Sequence, residues 1–497
     1  MKKDLKIYDT EKGKKKLFES LSPGYVRMYC CGPTVYDYLH IGNFRGAVFF
    51  NFVRNWLEFL GYKVDYVYNF TDIDDKILNR SKEESLSPQK LAEKYILEFK
   101  KDYQNLKLKS PTHHPRATQT LKEIIRLIEK LIKKNKAYEV DGNVFYSISS
   151  FKEYGQLSNR NTEELLSETR VENEPGKKNP LDFALWKKTK KKETWYFESP
   201  WGKGRPGWHI ECTAMIHKFL GEEIDIHGGG SDLIFPHHEN EIAQSSGLTG
   251  KKYVRFWMHN NMIVTEGNKM SKSLGNMISM RSFLKNYPAE LFKFLILSCH
   301  YRSPLQFSKK TLEQALVSLL KLYSSFVEAD KIKKSTQKLL ANGTSKNLKT
   351  FKQKLQSAKQ DIQEAFNDDF ATPKAFAVFF SLFHLFKKEI QDKHNPSKIQ
   401  IAQEYLSFFK RYGKPLSLFQ ENPSLFFKTL EDKFLEQKDI KRKQIDQIVQ
   451  ERNLARQKKN FKKSDALRKQ LDLWNIEVKD TSEGSEWHLR LSKFIDL

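Results

Sequence analysis

The sequence predicts an α/β protein, a doubly wound parallel sheet with an inserted segment, followed by helical domains. Three observations predict it. Residues 25–31, YVRMYCC, are a β-branched and aromatic run stopped by Gly32-Pro33, the pattern of a buried strand. Residues 40–61 carry apolar side chains at helical spacing (Val48, Phe49, Val53, Trp56, Leu57, Leu60), and 63–70, KVDYVYNF, reads as a second strand. Strand, helix and parallel strand form the first unit of such a sheet, and the chain beyond residue 285 is almost wholly helical in pattern.

The other elements follow in order. The basic start, MKKDLKIYDTEKGKKK, has no apolar core and does not read as a secretory leader. Residues 86–137 read as helical, and 138–205 as irregular chain with short strands such as NVFYSIS. RPGWHIEC, EIDIHGGG and a helix opened by Pro236 resume the sheet, and YVRFWMHNNMIV adds strand material. ANGTS at 341–345 reads as a linker, 350–412 as amphipathic helices, and Pro415 and Pro423 as markers of looser chain. A basic helical module with IEVKDT and a Trp487 segment closes the sequence, and no internal repeat is present.

With 497 residues the chain has room for about three to four domains. No apolar run approaches the roughly 20 residues that span a bilayer, so a cytoplasmic protein without membrane contact is expected. Lys and Arg total 86 against 61 Asp and Glu, a net charge of +25, which suits a polyanion-binding protein. A lysine-rich, well-solvated surface is the plainer alternative. The charge is clustered, however: Lys441 to Lys469 holds eleven basic and three acidic residues. Four cysteines (Cys30, Cys31, Cys212, Cys299) are too few for a disulfide scaffold and fit a reducing compartment.

The chemistry concentrates in a few short phrases. Cys31 ends the first strand, Cys212 lies in WHIECTAM, and His237 and Glu241 stand four apart in PHHENE. Two thiolates, an imidazole and a carboxylate make a zinc set, although each residue alone could be an ordinary core or surface group. Strand alternation turns Cys30 to the opposite face. His40-Ile41-Gly42-Asn43 opens a helix whose N-terminal N–H groups favour phosphate, and Lys269-Met270-Ser271-Lys272-Ser273 follows much later. Any one of these phrases could be a simple cap, turn or solvated lysine.

Taken together, the phrases resemble one family. HIGN and KMSKS are similar to the two signatures of class I aminoacyl-tRNA synthetases, and CGPTVYDYLHIGN, TDIDDKI, RPGWHIEC, DIHGGGSDLIFPHHENEIAQS and KMSKSLGN resemble cysteinyl-tRNA synthetases of the bacterial type. The resemblance implies a class I Rossmann-like catalytic domain split by a connective insertion, an all-α C-terminal domain and a small anticodon-binding module. Its segments would be 1–137, 138–205, 206–284 with the KMSKS loop, a stem-contacting helical region at 285–345, a DALR-like bundle at 346–429 and an anticodon module at 430–497. It implies ATP-dependent joining of L-cysteine to tRNA(Cys) through a cysteinyl-adenylate. One Zn2+ would be held by Cys31, Cys212, His237 and Glu241, Mg2+ would accompany ATP, and the enzyme would be a monomer.

The implied roles continue residue by residue. His40, Asn43, Lys269 and Lys272 would serve catalysis, with Lys272 the closer to ATP. His40, Gly42, Gly228, Gly229, Gly230 and Lys272 would bind ATP, the glycines by letting adenosine approach the backbone. Thr71, Trp208, His227 and Asp232 would line the amino-acid pocket. The family pattern commonly ends in His where this chain has Asn43, which cannot carry a proton charge. Zinc would separate cysteine from serine, since a pocket alone discriminates weakly between near-isosteres. In the last module Arg452, Arg456, Lys459 and Lys463 would face phosphate, with Leu454, Ala455, Phe461, Ala466 and Leu467 on the buried face, and Asp480 and Trp487 would meet unpaired bases.

Three rival readings fit parts of the sequence. A related ligase joining cysteine to an amino-sugar shares the catalytic phrases but lacks a comparable C-terminal module. A catalytically silent RNA-binding relative would not need KMSKS and a complete metal set. A zinc hydrolase is the weakest, because HHENE lacks the H-E-x-x-H spacing.

Overall fold

Two short strands, β1 (Lys6–Asp9) and β2 (Lys14–Leu17), pair as an antiparallel hairpin ahead of the main sheet. The computed structural model describes residues 4–160, 176–190, 193, 195–265, 268–269, 277–334, 346–392, 395–481 and 484–490, with backbone only at 268, 269, 481, 484 and 486. The chain divides into two compact units. One comprises Met1–Ile263, Cys299–Leu305 and Gln363–Thr372; the other comprises Val264–Ser298, Gln306–Ile362 and Pro373–Leu497.

In the first unit, the run 25–31 forms β3 (Tyr25–Cys30), the stripe 40–61 forms α1 (Ile41–Phe59), and the next run forms β4 (Lys63–Tyr68). β3 and β4 are parallel, with Cys30 opposite Tyr68. The segment expected to be helical throughout is interrupted. Helices α2 (Asp75–Glu83) and α3 (Pro88–Asn105) are joined by a short turn, and irregular chain at 108–116 followed by a 3-10 turn at Ala117–Thr120 separates α3 from α4 (Leu121–Lys133). Pro111 and Pro115 disfavour helix there, and Tyr68 and Phe70 donate their N–H groups to the carbonyls of His113 (3.1 Å) and Pro115 (2.8 Å).

Over its described residues the insertion is more regular than its sequence reads. β5 (Ala137–Val140), β6 (Asn143–Tyr146), β7 (Phe183–Lys188) and β8 (Gly204–Pro206) form an antiparallel sheet in that order. Cuts at 137/138 and 205/206 therefore fall inside strands. The main sheet resumes through α5 (Trp208–Phe219), β9 (Ile224–Gly230), α6 (Glu239–Thr249) and β10 (Val254–Asn260). The strand order β10-β9-β3-β4 is parallel throughout. From β3 the chain moves to one edge and from β9 to the other, so the carboxyl ends of these two strands flank the topological switch point, where ligands bind in such sheets.

Close backbone approach shapes this edge. Gly32 donates its N–H to the Asn69 side chain (2.7 Å), and a Cβ on Gly32 would lie 1.7 Å from the Asn69 carbonyl oxygen. Gly32→Ala should therefore cost about 3 kcal/mol of stability or more, as overpacked sites do. Denaturant unfolding checks this; a variant within about 0.5 kcal/mol of the parent would show that the two loops separate freely. Arg45 of α1 is buried, donates to the carbonyls of Met262 (2.5 Å) and Ser303 (2.5 Å), and is lowered to about 10 by burial.

The second unit is helical after β11 (Ile263–Thr265) and β12 (Asn268–Lys269), which pair Val264 with Lys269. Its helices are α7 (Met280–Asn286), α8 (Ala289–Ser298), α9 (Lys309–Lys334), α10 (Lys346–Asn367) up to Ile362, α11 (Thr372–Gln391) from Pro373, α12 (Lys398–Leu416) and α13 (Pro423–Gln437). A cut at 284/285 would split α7, and one at 429/430 would split α13. Pro415 sits inside α12, so the loose chain is confined to the residues between α12 and α13. Aromatic packing ties these helices together: Tyr323 stacks on Phe426 at 3.8 Å, and Phe326, Phe379, Phe409 and Phe419 make a shared cluster. The linker residues 341–345 lie outside the described residues.

Helices α14 (Arg442–Gln457) and α15 (Phe461–Leu473) with the hairpin β13 (Ile476–Thr481) and β14 (Gly484–Leu489) form the last module. Its inner face differs from the expected one. Ile445, Val449, Arg452 and Ala455 of α14 are buried, whereas Leu454 and Phe461 are 55% and 63% exposed. Arg452 is bidentate to Asp480 (2.8 and 3.1 Å), and Arg456 also pairs with that carboxylate. Trp487 donates to Asp446 (2.8 Å) beneath the guanidinium of Arg442. Asp480 and Trp487 thus brace the module, and Arg452 is an internal strut.

Candidate metal and nucleotide site

Three elements bring a buried cluster to the switch point. The end of β3 presents Cys31, whose N–H donates to the Gly228 carbonyl at 3.1 Å. Cys30, one residue earlier, is buried on the other side beside Tyr66. Helix α5 presents Cys212, with its Sγ 3.8 Å from that of Cys31. The third element is the HHENE turn. The helix begins later than Pro236: residues Ile234–His238 form one π turn with Phe235 extended, and α6 starts at Glu239. His237 and Glu241 still meet across it, Nε2 to Oε1 at 3.2 Å, and Glu241 Oε1 lies 3.6 Å from Cys31 Sγ.

The ligand atoms of Cys31, Cys212, His237 and Glu241 all lie within 4.8 Å of one another. A second quartet, Cys31, His227, His238 and Glu241, meets the same limit. Both share Cys31 and Glu241. Sequence spacing did not reveal the second one, although His227 and His238 stand in the phrases already singled out. His238 approaches Cys31 Sγ with Nε2 (3.3 Å) while its Nδ1 faces His259 Nε2 (2.8 Å), and His259 Nδ1 faces the Thr10 hydroxyl (2.7 Å). His237 Nδ1 faces His209 Nδ1 at 3.0 Å, and Glu241 Oε2 is held by Tyr253 (3.1 Å) and His227 (3.0 Å). Such outer contacts orient ligand groups.

Burial dominates the electrostatics. It raises the Cys31 thiol, with Cys212 adding to the effect, and raises the Glu241 carboxyl well above its ordinary range. It drives His237 and His238 well down and His227 to about 3. Burial thus disfavours the charged form of Cys31, Glu241, His227, His237 and His238 alike. Two thiols, imidazoles and a carboxyl converging at one point fit a thiophilic divalent metal.

The other expected residues are distributed around this edge. Trp208 stacks on His237 at 4.2 Å and remains 40% exposed. His227 is buried between Tyr29 and Trp257. Thr71 is buried and pairs its backbone with Pro33 and Val35, and Asp232 lies exposed beyond β9. The glycines serve protein packing as well: a Cβ on Gly228 would meet Phe50 at 2.4 Å, one on Gly229 would meet His238 at 2.7 Å, and one on Gly230 would meet Asp232 at 2.5 Å.

His40 caps α1, its Nδ1 accepting from Gly42 N–H (3.1 Å), and Asn43 Oδ1 accepts from His40 N–H (3.1 Å). A Cβ on Gly42 would lie 2.8 Å from that imidazole, so the small residue seats His40 itself. Asn43 thus has a defined use as a cap acceptor. With Nδ1 accepting, the neutral imidazole carries its proton on Nε2. Lys269 is described by its backbone in β12, and Lys272 lies outside the described residues.

Comparison with known proteins identifies the family and the fold. Residues 17–317 match the model of the tRNA synthetases class I (C) catalytic domain, and 361–420 match the DALR domain. The cysteine–tRNA ligase of Bdellovibrio bacteriovorus is 48% identical over 487 residues, covering 98% of this chain and 99% of the relative. That of Geobacter sulfurreducens is 40% identical, covering 98% and 100%. Among solved structures, methionyl-tRNA synthetase of Mycobacterium tuberculosis in complex with methionyl-adenylate shares the fold, with TM-score 0.62, 12% identity and coverage of 82% of this chain and 96% of that one. Full-length likeness at this identity, on a parallel sheet with a thiol-bearing cluster at its switch point, places the chain in the cysteine–tRNA ligase family of class I aminoacyl-tRNA synthetases.

Proposed function

We propose that the protein charges tRNA(Cys) with L-cysteine in two steps, using a zinc ion to select the amino acid. In the first step a carboxylate oxygen of cysteine attacks the α-phosphorus of ATP, forming cysteinyl-adenylate and releasing diphosphate. In the second a ribose hydroxyl of the terminal tRNA adenosine attacks the acyl carbon and AMP leaves. The observation that carries this reading is the quartet Cys31, Cys212, His237 and Glu241, with Cys31 half-buried and the others buried, at the switch point of a class I sheet.

Zinc, one per chain, is assigned to that quartet; when bound it supplies a soft acceptor for a thiolate that a neutral hydroxyl does not match. The chain's own groups do the rest. His40 offers Nε2–H to phosphoryl oxygens as charge builds, at the N-terminus of α1. Asn43 fixes the His40 backbone while taking the place of the family's second His. Lys269 and Lys272 neutralise the departing diphosphate, whose Mg2+ arrives with ATP. The backbone of Gly228, Gly229 and Gly230 with Gly42 supports the nucleotide, and Thr71, Trp208, His227 and Asp232 position the amino acid. The module from α14 onward, with its exposed lysines, reads the anticodon arm. On this reading the enzyme is a cytoplasmic monomer, and the segments 285–345 and 346–429 contact the tRNA stem and form the helical bundle.

The first quartet is preferred because two adjacent thiols suit zinc better than one. His237→Ala should retain less than about a tenth of the wild-type zinc and His238→Ala more than half, as metal analysis would show. The reverse result would move the metal to the second quartet. The function itself is tested by ATP–pyrophosphate exchange with each amino acid, followed by charging of purified tRNA. Cysteine alone should support exchange, and tRNA(Cys) should be acylated; exchange without transfer to tRNA would favour the amino-sugar ligase.

A further inference from the structure

We propose that Glu239 is a positioning residue that couples the metal centre to the insertion, by anchoring loop 151–160 to the turn that carries His237 and Glu241. The proposal rests on the metal reading above. Glu239 is fully buried and lies midway between these two metal-facing residues. Its carboxylate points away from the cluster, into a ring of donors from one short loop. Oε1 accepts from the backbone N–H of Gly155 (3.0 Å) and Leu157 (3.4 Å), and Oε2 accepts from Ser158 N–H (2.9 Å) and Ser158 Oγ–H (2.9 Å). Gly155 adopts φ +98°, a left-handed turn that brings these N–H groups to one point.

Neighbouring contacts run in parallel. Tyr154 donates to Asn240 Oδ1 (2.6 Å), and Tyr146 donates to the Ala243 carbonyl (2.6 Å). Phe151, Tyr154 and Leu157 pack in the same core as Ile242 and Ala243. The five residues of HHENE thus divide their work: His237 and Glu241 face the metal position, His238 faces Cys31 and His259, and Glu239 and Asn240 hold the insertion loop. The turn they share is irregular on its N-terminal side, with Phe235 extended inside it. A ligand that joins His237 to Glu241 fixes this turn and therefore the carboxylate between them. Fixing the carboxylate orders the loop donors, and by thermodynamic reciprocity an ordered loop strengthens metal binding.

Hydrogen exchange of the full-length protein with and without Zn2+, paired with chelator competition, tests the coupling. In the wild type, zinc should slow exchange of the Gly155, Leu157 and Ser158 amides at least tenfold. Glu239→Gln, which turns an amide NH2 toward donors, should abolish that zinc-dependent difference and weaken zinc binding about 10- to 100-fold. A loss of fold alone would not erase the difference selectively. Where Glu239→Gln does not fold, Ser158→Ala keeps the test, with zinc weakened at least threefold. Zinc affinity within twofold of wild type in the folded variant, or loop amides indifferent to zinc in the wild type, would overturn the proposal and leave the metal assignment standing. A wild-type protein that takes no zinc would remove both.

Discussion

Cys212→Ala should leave the purified enzyme with under about a tenth of its zinc and with little power to tell cysteine from serine. Cys212 and Cys31 place their sulfurs 3.8 Å apart, so removing one breaks the thiol pair that makes the site selective for a soft metal. What would remain is the amino-acid site proposed for Thr71, Trp208, His227 and Asp232. Pockets of that kind separate near-isosteres by only about 10- to 200-fold, and the cysteine-to-serine ratio of kcat/KM in exchange should fall to that range. Cys30→Ala is the matched control. Its thiol lies on the opposite side of β3 beside Tyr66, so zinc content and preference should both persist. Full zinc and unchanged preference in Cys212→Ala would refute the assignment.

The second large effect concerns tRNA. Ending the chain after Ile440 should spare ATP–pyrophosphate exchange within about twofold and lower charging efficiency by about 100-fold or more, because a basic surface supplies much of the affinity for a nucleic acid. The cut belongs after α13. Phe426 of that helix stacks on Tyr323, and Lys433 donates to the Leu284 carbonyl (2.5 Å), so a cut near 430 would damage the bundle as well. The shortened enzyme should also lose sensitivity to anticodon substitutions and show a weaker salt dependence. Unchanged charging with unchanged anticodon preference would mean that α14, α15 and the hairpin are not the reader.

What the sequence made legible was whatever local pattern governs. Runs such as YVRMYCC and the stripe from Val48 to Leu60 announce β3 and α1 because burial on a pleat or a helix face has a fixed period. The same alternation separates Cys30 from Cys31. Long-range pairing was not legible. Nothing in DIHGGG or PHHENE tells that His238 leans on His259, which leans on Thr10, since those partners lie far apart in the chain. Residues 86–137 read as helical, yet Pro111, Pro115 and the open edge of β4 gave the backbone between them a better partner. Arg452 reads as a phosphate contact until the chain folds and Asp480 arrives beside it. The glycine run reads as a cradle for a ligand, while Phe50 and His238 already occupy much of the space the missing side chains leave.

The metal proposed for the cluster would discriminate a thiol from a hydroxyl. Replacing the native metal with Co2+ makes this visible, because thiolate ligands give cobalt an intense near-ultraviolet charge-transfer absorption. The Co2+-loaded protein should show that band from Cys31 and Cys212. Adding cysteine should intensify it with saturation, and adding serine at the same concentration should leave it unchanged. Cysteine activation accompanied by no change in the band would contradict the claim, since the amino acid would then be chosen without its sulfur reaching the metal.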